Sequence, residues 1–140
     1  MNPQATVAEW MTPNPQTVDM DASLRSIRDV MSEHGCHHVL VKEKGRVVGV
    51  ISDRDVLRSL SPRADNERLA TTSDLATLDK RAHQIMSRSL TSVAPTSTVS
   101  DAAALMLEHG IHCLPVIDEW GCHGVLTTSD VLRWSADAPA

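Results

Sequence analysis

Two short stretches of this chain carry a glycine, a hydroxyl and a carboxylate at one shared spacing. Gly49-Val50-Ile51-Ser52-Asp53-Arg54-Asp55 and Gly124-Val125-Leu126-Thr127-Thr128-Ser129-Asp130 both read Gly-x-x-[Ser/Thr]-x-x-Asp. In each, an apolar strand runs into a hydroxyl residue and a short helix opens. A Ser or Thr at a helix start caps N–H groups of the first turn. Those N–H groups, at the positive end of the helix, also attract an anion. The carboxylate three residues on, Asp55 or Asp130, has the chemistry to accept hydrogen bonds from a sugar diol. An anion-attracting corner beside a diol acceptor fits a nucleotide. Taken singly, each Asp reads equally well as a first-turn carboxylate favoured by the helix dipole. Their recurrence in register favours the ligand role.

The recurrence extends to most of the chain. The offset of 75 residues that separates Asp55 from Asp130 also pairs Met11 with Met86, Val18 with Val93 and Met31 with Met106. It pairs Glu33-His34-Gly35 with Glu108-His109-Gly110, His37 with His112, and Val56-Leu57-Arg58 with Val131-Leu132-Arg133. Self-similarity at a fixed period decides architecture before any local reading does. The elements that must position the two corners can therefore be read twice.

In the first copy, Ala5 to Met11 is an entry turn ended by Pro13 and Pro15. Gln16-Thr17-Val18 is a brief strand, and Asp19 to Ser23 leads into a helix with Asp21 as N-cap. Leu24, Ile27, Val30 and Met31 form its buried stripe, and Gly35 closes it. His38 to Val41 and Val47 to Ile51 are a hairpin around the polar turn Glu43-Lys44-Gly45-Arg46. Asp53 to Leu60 is the closing helix. In the second copy, Ala82 to Met86 is the entry turn and Thr91-Ser92-Val93 the short strand. Ser97 or Thr98 caps a helix that buries Ala102, Leu105 and Met106 and ends at Gly110. Cys113 to Ile117 and Cys122 to Thr127 are the hairpin, and Ser129 to Trp134 the last helix. Each copy is thus a β-α-β-β-α unit, giving an α+β fold of two units related by a pseudo-twofold axis. The expected boundaries are 1–60 for the first unit, 61–80 for a partly helical connector and 81–135 for the second unit. Residues 136–140 read as a frayed tail.

Composition bounds the function. The chain has 140 residues, so each half is near the size at which a core of its own is marginal, and the halves are expected to pack together. With no Phe, no Tyr and three Trp, the core must be aliphatic and aromatic platforms for base stacking are lacking. A net charge of −5 argues against a nucleic-acid backbone as ligand. No run of about 18 apolar residues signals a membrane span. Three cysteines, an odd number, and a start without the features of a signal peptide fit a cytoplasmic location. No Ser-His-Asp order, redox Cys-x-x-Cys or Walker loop is present, so no enzyme activity is expected.

The chain resembles a tandem pair of CBS domains, the regulatory modules named after cystathionine β-synthase, over roughly Val7 to Arg133. The segments that carry the resemblance include Trp10-Met11-Thr12-Pro13, Ile85-Met86, His34 to Val41, His109 to Asp118, Gly49 to Leu57 and Gly124 to Asp130. The resemblance implies clefts that bind adenine nucleotides of the AMP, ADP or ATP class as regulatory ligands, with no tightly bound cofactor. It implies that Asp55 and Asp130 accept from ribose hydroxyls, and that Ser52 and Thr127, with Arg54 or Ser129, lie near the ribose–phosphate. Thr17-Val18 and Ser92-Val93 would offer backbone groups to the adenine edge. His37, His38, His112 and Cys113 stand where relatives often place basic residues, and Pro115 would shape the lip of the second cleft. It further implies a homodimer through helical faces around Trp10, Met11, Ile85, Met86, Leu57 and Leu132, and a regulated target enzyme or transporter. Trp120, in a hairpin turn, is expected to be a contact point.

Two other functions compete. One is an interaction scaffold whose clefts are degenerate. The other is a metal- or redox-responsive protein using Cys36, His37, His38, His112 and Cys113. A zinc shared by Cys113 and Cys122 is disfavoured. A turn at Asp118 to Gly121 places Ile117 opposite Cys122, so Cys113 lies about 13 Å further along at about 3.3 Å per residue. Zinc ligands sit about 2.0–2.3 Å from the metal. The cysteines read better as small buried apolar groups, and His34 and His109 as partners of helix C-termini.

Overall fold

The computed structural model describes residues 1–64, 66, 68–88 and 90–137. In chain order the elements are α1 (Val7–Trp10), β1 (Thr12–Pro13), β2 (Thr17–Asp19), α2 (Leu24–His34), β3 (His38–Glu43), β4 (Arg46–Ser52) and α3 (Asp53–Ser59). They continue with α4 (Thr72–Ala76), a 3-10 turn (Thr77–Asp79), α5 (Ala82–Ile85), α6 (Val99–His109), β5 (Cys113–Asp118), β6 (Gly121–Thr127) and α7 (Thr128–Ala136). The last helix runs into the expected tail, and the rest of that expectation, residues 138–140, lies outside the described residues.

The elements sort into two compact bodies. A central body comprises Gln16–Leu90, and a terminal body joins Met1–Pro15 to Thr91–Ala140. This cuts the chain differently from the sequence repeat, because each repeat lends its entry segment to the other. In the terminal body Val7 N–H donates to Ser97 C=O at 2.7 Å, Ala8 N–H to Pro95 C=O at 3.0 Å, and Val99 N–H to Ala5 C=O at 3.0 Å. In the central body the same three bonds recur one offset away: Ala82 to Ala22, His83 to Met20, and Leu24 to Lys80. The segment before the first long helix therefore satisfies backbone groups that would otherwise be left open.

Each body has its own aliphatic core. In the central body α2 lays Leu24, Ile27 and Met31 against Val39, Val41, Ile51 and Val56. In the terminal body Ala102 and Met106 of α6 meet Val7, Leu114, Val116 and Leu126. Trp134, Ala5 and Val99 form a satellite cluster there, with the Trp134 indole N–H donating to Asn2 C=O at 2.9 Å. Ser23, not Asp21, caps α2: its hydroxyl directly precedes Leu24 and accepts from Ser26 N–H at 3.1 Å. Thr98 caps α6. Gly35 and Gly110 close the two long helices with φ of 61° and 63°, the left-handed step that glycine takes without strain. The connector belongs to the central body, with α4 opened by a Thr71–Asp74 capping box and Leu78 buried.

The sheets share a plan and differ at one edge. The central sheet runs β2-β3-β4, with β2 parallel to β3 and β3 antiparallel to β4. The terminal sheet runs β1-β6-β5, all antiparallel. The strand expected at Thr91–Val93 does not form; Val93 makes only an isolated parallel bridge to Val116. The reason is Pro115. In the central body Leu40 N–H donates to Gln16 C=O at 3.0 Å. Proline occupies Leu40's place in the second copy, so that rung has no donor. The β5–β6 register does place Ile117 opposite Cys122.

The signature glycines are required by close packing. A Cβ at Gly124 would lie 2.5 Å from the carbonyl oxygen of Thr12, and one at Gly49 would lie 2.5 Å from Met86 Sδ. A carbonyl in a paired strand cannot step aside, whereas a thioether adapts. Gly124→Ala is therefore expected to cost about 1–3 kcal/mol and Gly49→Ala clearly less. Urea midpoints of the two variants check this, and equal losses would contradict it.

Candidate ligand-binding corners

Both corners are built as the sequence repeat requires. At the end of β4, Ser52 accepts from Asp55 N–H at 3.1 Å and Asp55 Oδ2 accepts from Ser52 N–H at 2.9 Å. At the end of β6, Thr127 accepts from Asp130 N–H at 3.4 Å and Asp130 Oδ2 accepts from Thr127 N–H at 2.9 Å. These are reciprocal capping boxes, with Asp in the place of the usual Glu or Gln. The first-turn N–H groups are mostly engaged. Asp53 N–H donates to His37 C=O at 2.9 Å, and Thr128 N–H to His112 C=O at 3.0 Å. Arg54 and Ser129, both exposed, follow at the second helical position of α3 and α7. The anion site expected at each helix start is thus reduced to one backbone N–H by the protein's own caps.

The central corner gathers its expected residues at the ends of neighbouring strands. His38 pairs with Ser52 across β3–β4, and Thr17 and Val18 pair with Leu40 and Val41 across β2–β3. His37 is exposed and its Nδ1 lies 2.9 Å from Asp53 Oδ2. That contact went unread in the sequence, although His37 and Asp53 flank the two hairpin strands.

The terminal corner is more occluded. His112 and Ser92 are exposed, but Cys113 and Pro115 are buried in β5. Val93 is buried too, and its N–H and C=O are both spent on β5, donating to Pro115 C=O and accepting from Ile117 N–H. Val93 therefore has no free backbone edge for an adenine ring, and Ser92 alone remains for that role. Val18, in the same parallel register against Val41, is committed to β3 likewise and leaves Thr17. Burial pushes the Cys113 thiol up to about 12, with the nearby Asp130 and Cys122 charges adding to the effect. Burial also raises Cys36. Thiolates are the nucleophilic and metal-binding form, so both shifts run against redox or metal chemistry. Among the described residues no group of three His, Cys, Asp or Glu is placed to hold a metal ion.

Two residues around Asp130 were not singled out as site residues in the sequence. Thr12 of β1 donates its hydroxyl to Asp130 Oδ1 at 3.2 Å and to Oδ2 at 3.3 Å. Arg133 bridges to Asp130 Oδ1. The repeat did pair Arg133 with Arg58, but nothing in the sequence brought Thr12 to the second copy's corner.

The family description "CBS domain" matches residues 7–62 and again residues 82–137. The chain belongs to the CBS domain family. This CBS pair is 26% identical over 128 residues to the CBS domain-containing protein YhcV of Bacillus subtilis, covering 91% of this chain and 83% of that protein. Among solved structures it is similar to CBSX2 in complex with AMP, at 30% identity and a TM-score of 0.74, covering 94% of this chain and 96% of that one. It shares its fold with the CBS domain pair of protein MJ0100 in complex with 5′-methylthioadenosine and S-adenosyl-L-methionine, at 21% identity and a TM-score of 0.78, covering 95% and 97%. It spans 43% of a longer archaeal relative and about a quarter of two homoserine O-acetyltransferases that it also matches. Among the described residues no helix of this CBS pair is long and apolar enough to cross a membrane.

Proposed function

We propose that this CBS pair is a non-catalytic regulatory module that binds an adenine nucleotide of the AMP, ADP or ATP class and signals through a change in conformation or association. The observation that carries this reading is the duplicated corner. In each body a strand end, a capping hydroxyl and an Asp carboxylate converge, in a chain 30% identical to a protein whose structure contains AMP. In this reading Asp55 accepts from the ribose diol, Arg54 and His37 face the phosphate, and the outer β2 edge at Thr17 meets the base. Ligand binding shifts the population of pre-existing states, since a ligand moves an equilibrium only by its differential affinity. A cytoplasmic location and a target enzyme or transporter belong to the same proposal.

A homodimer is also part of it. Of the apolar residues expected on a dimer face, Met86 is buried and Trp10, Met11 and Ile85 pack within their own bodies. Leu57 on α3 and Leu132 on α7 remain 74% and 63% exposed, as does Trp120 at 83%. The competing scaffold reading draws on the same exposed leucines and predicts a dimer by light scattering that is indifferent to nucleotide.

Calorimetry with AMP, ATP, NAD and S-adenosylmethionine decides between them. Binding of at least one adenosine ligand, lost on Asp55→Ala, is the expected result. Absence of heat with all four at millimolar ligand would remove the nucleotide reading and leave the scaffold.

A further inference from the structure

The two corners share a sequence signature, yet their carboxylates are in different states. Asp130 is 0% exposed. Its oxygens take the Thr127 N–H, the Thr127 hydroxyl at 3.1 Å, the Thr12 hydroxyl and the Arg133 guanidinium. Asp55 is half-buried and accepts from Ser52 N–H alone among the described residues. The repeat mates of the two extra donors do not reach it. Ser87, the counterpart of Thr12, bridges Val50 through its backbone but makes no bond to Asp55, and Arg58, the counterpart of Arg133, makes none either.

We infer that Thr12 and Arg133 are the residues that determine which corner takes the ligand: they fill the terminal corner from within, so nucleotide enters only at Asp55. This rests on the nucleotide reading above. The chemistry is one of substitution. A ribose diol approaching Asp130 brings two O–H donors to a carboxylate that already holds two hydroxyls, an amide and a guanidinium. Binding there exchanges protein hydrogen bonds for ligand hydrogen bonds and gains little. The same diol at Asp55 adds donors to a carboxylate with capacity left, and a hydrogen bond to a charged group contributes more than a neutral one. Thr12 owes its position to the lent entry strand: β1 pairs with β6 through Thr12 and Val125, one strand away from the carboxylate's helix. The Thr12 hydroxyl thus stands where a ligand hydroxyl would donate.

Equilibrium dialysis with AMP reads the stoichiometry. The wild-type chain is expected to take up one AMP per chain, and Asp55→Asn to weaken that binding about ten-fold or more. Thr12→Ala is expected to add a second equivalent, and the Thr12→Ala, Asp55→Asn double variant to retain one. If Thr12→Ala proves unstable by thermal melting, Arg133→Ala serves instead, because that side chain is 60% exposed and supports no core. Two equivalent sites in the wild type, one site insensitive to Asp55→Asn, or no second equivalent in either opened variant would overturn the inference while leaving the nucleotide reading intact. A wild-type chain that takes up no AMP, and gives no heat with ATP, NAD or S-adenosylmethionine either, overturns that reading itself.

Discussion

Asp130→Ala is expected to lower the urea midpoint by about 1 M more than Asp55→Ala does. The comparison is an internal control, because the two residues occupy one position of the repeat and one position of a capping box. Removing Asp55 deletes one acceptor at a half-exposed helix start, a loss of about 1 kcal/mol by analogy with other N-terminal caps. Removing Asp130 leaves the Thr127 N–H and the Thr12 hydroxyl without their acceptor around a fully buried position. A buried donor left unmade costs about 1–3 kcal/mol, and hydrogen bonds to a charged acceptor are worth about 1.5–3 kcal/mol. The Arg133 bridge adds little to this, since its guanidinium is mostly in solvent. A difference of about 2 kcal/mol, divided by a typical slope for a small domain, gives the stated midpoint shift. Equal losses in the two variants would show that the Asp130 network is not held in solution.

Native Cys113 is expected to alkylate about a thousand-fold more slowly than the same residue in the unfolded chain. Its thiol is pushed from 9.0 to about 12, chiefly by burial. Only the thiolate reacts, and a thiol held near 12 carries less of it at pH 8 by about that factor. Iodoacetamide labelling at pH 8, with and without urea and read by peptide mass spectrometry, measures it. The same shift has a consequence for stability. Between pH 9 and about 12 the folded chain keeps a proton that the unfolded chain has released, so stability falls as pH rises through that window. A Cys113 that labels in the native protein as fast as in urea would mean that β5 is far more open than the structure shows.

Much of the architecture could be read from local pattern. The helix stripes, the glycines that close α2 and α6 and the β5–β6 register all follow from residue types a few positions apart, whereas Ser97 and Thr98 stand level as caps until the structure starts α6 at Val99. The duplicated box at Ser52–Asp55 and Thr127–Asp130 was equally visible, because a cap and its partner lie within one turn. What escaped the sequence depends on contacts between distant segments. Asp21 and Ser23 are both good caps, and only the actual start of the helix at Leu24 decides between them. Pro115 reads as shaping the lip of the second cleft, but its effect on Thr91–Val93 needs the strand register, which says whose carbonyl waits for the missing N–H. The engagement of Asp130 by Thr12 depends on which repeat receives the first entry segment. A period of 75 residues is the same whether each copy keeps its own entry segment or lends it away.

The lending of entry segments constrains how such a chain arises and how it can be divided. A gene fragment coding for one repeat alone would yield a strand pair lacking the turn that covers it, together with a turn whose own host is missing. Two such fragments are complementary, each supplying what the other lacks, so separately made repeats would need to trade ends to complete themselves. In one polypeptide that trade is intramolecular. The traded segments are not identical, and Thr12 in the place of Ser87 is one difference between them.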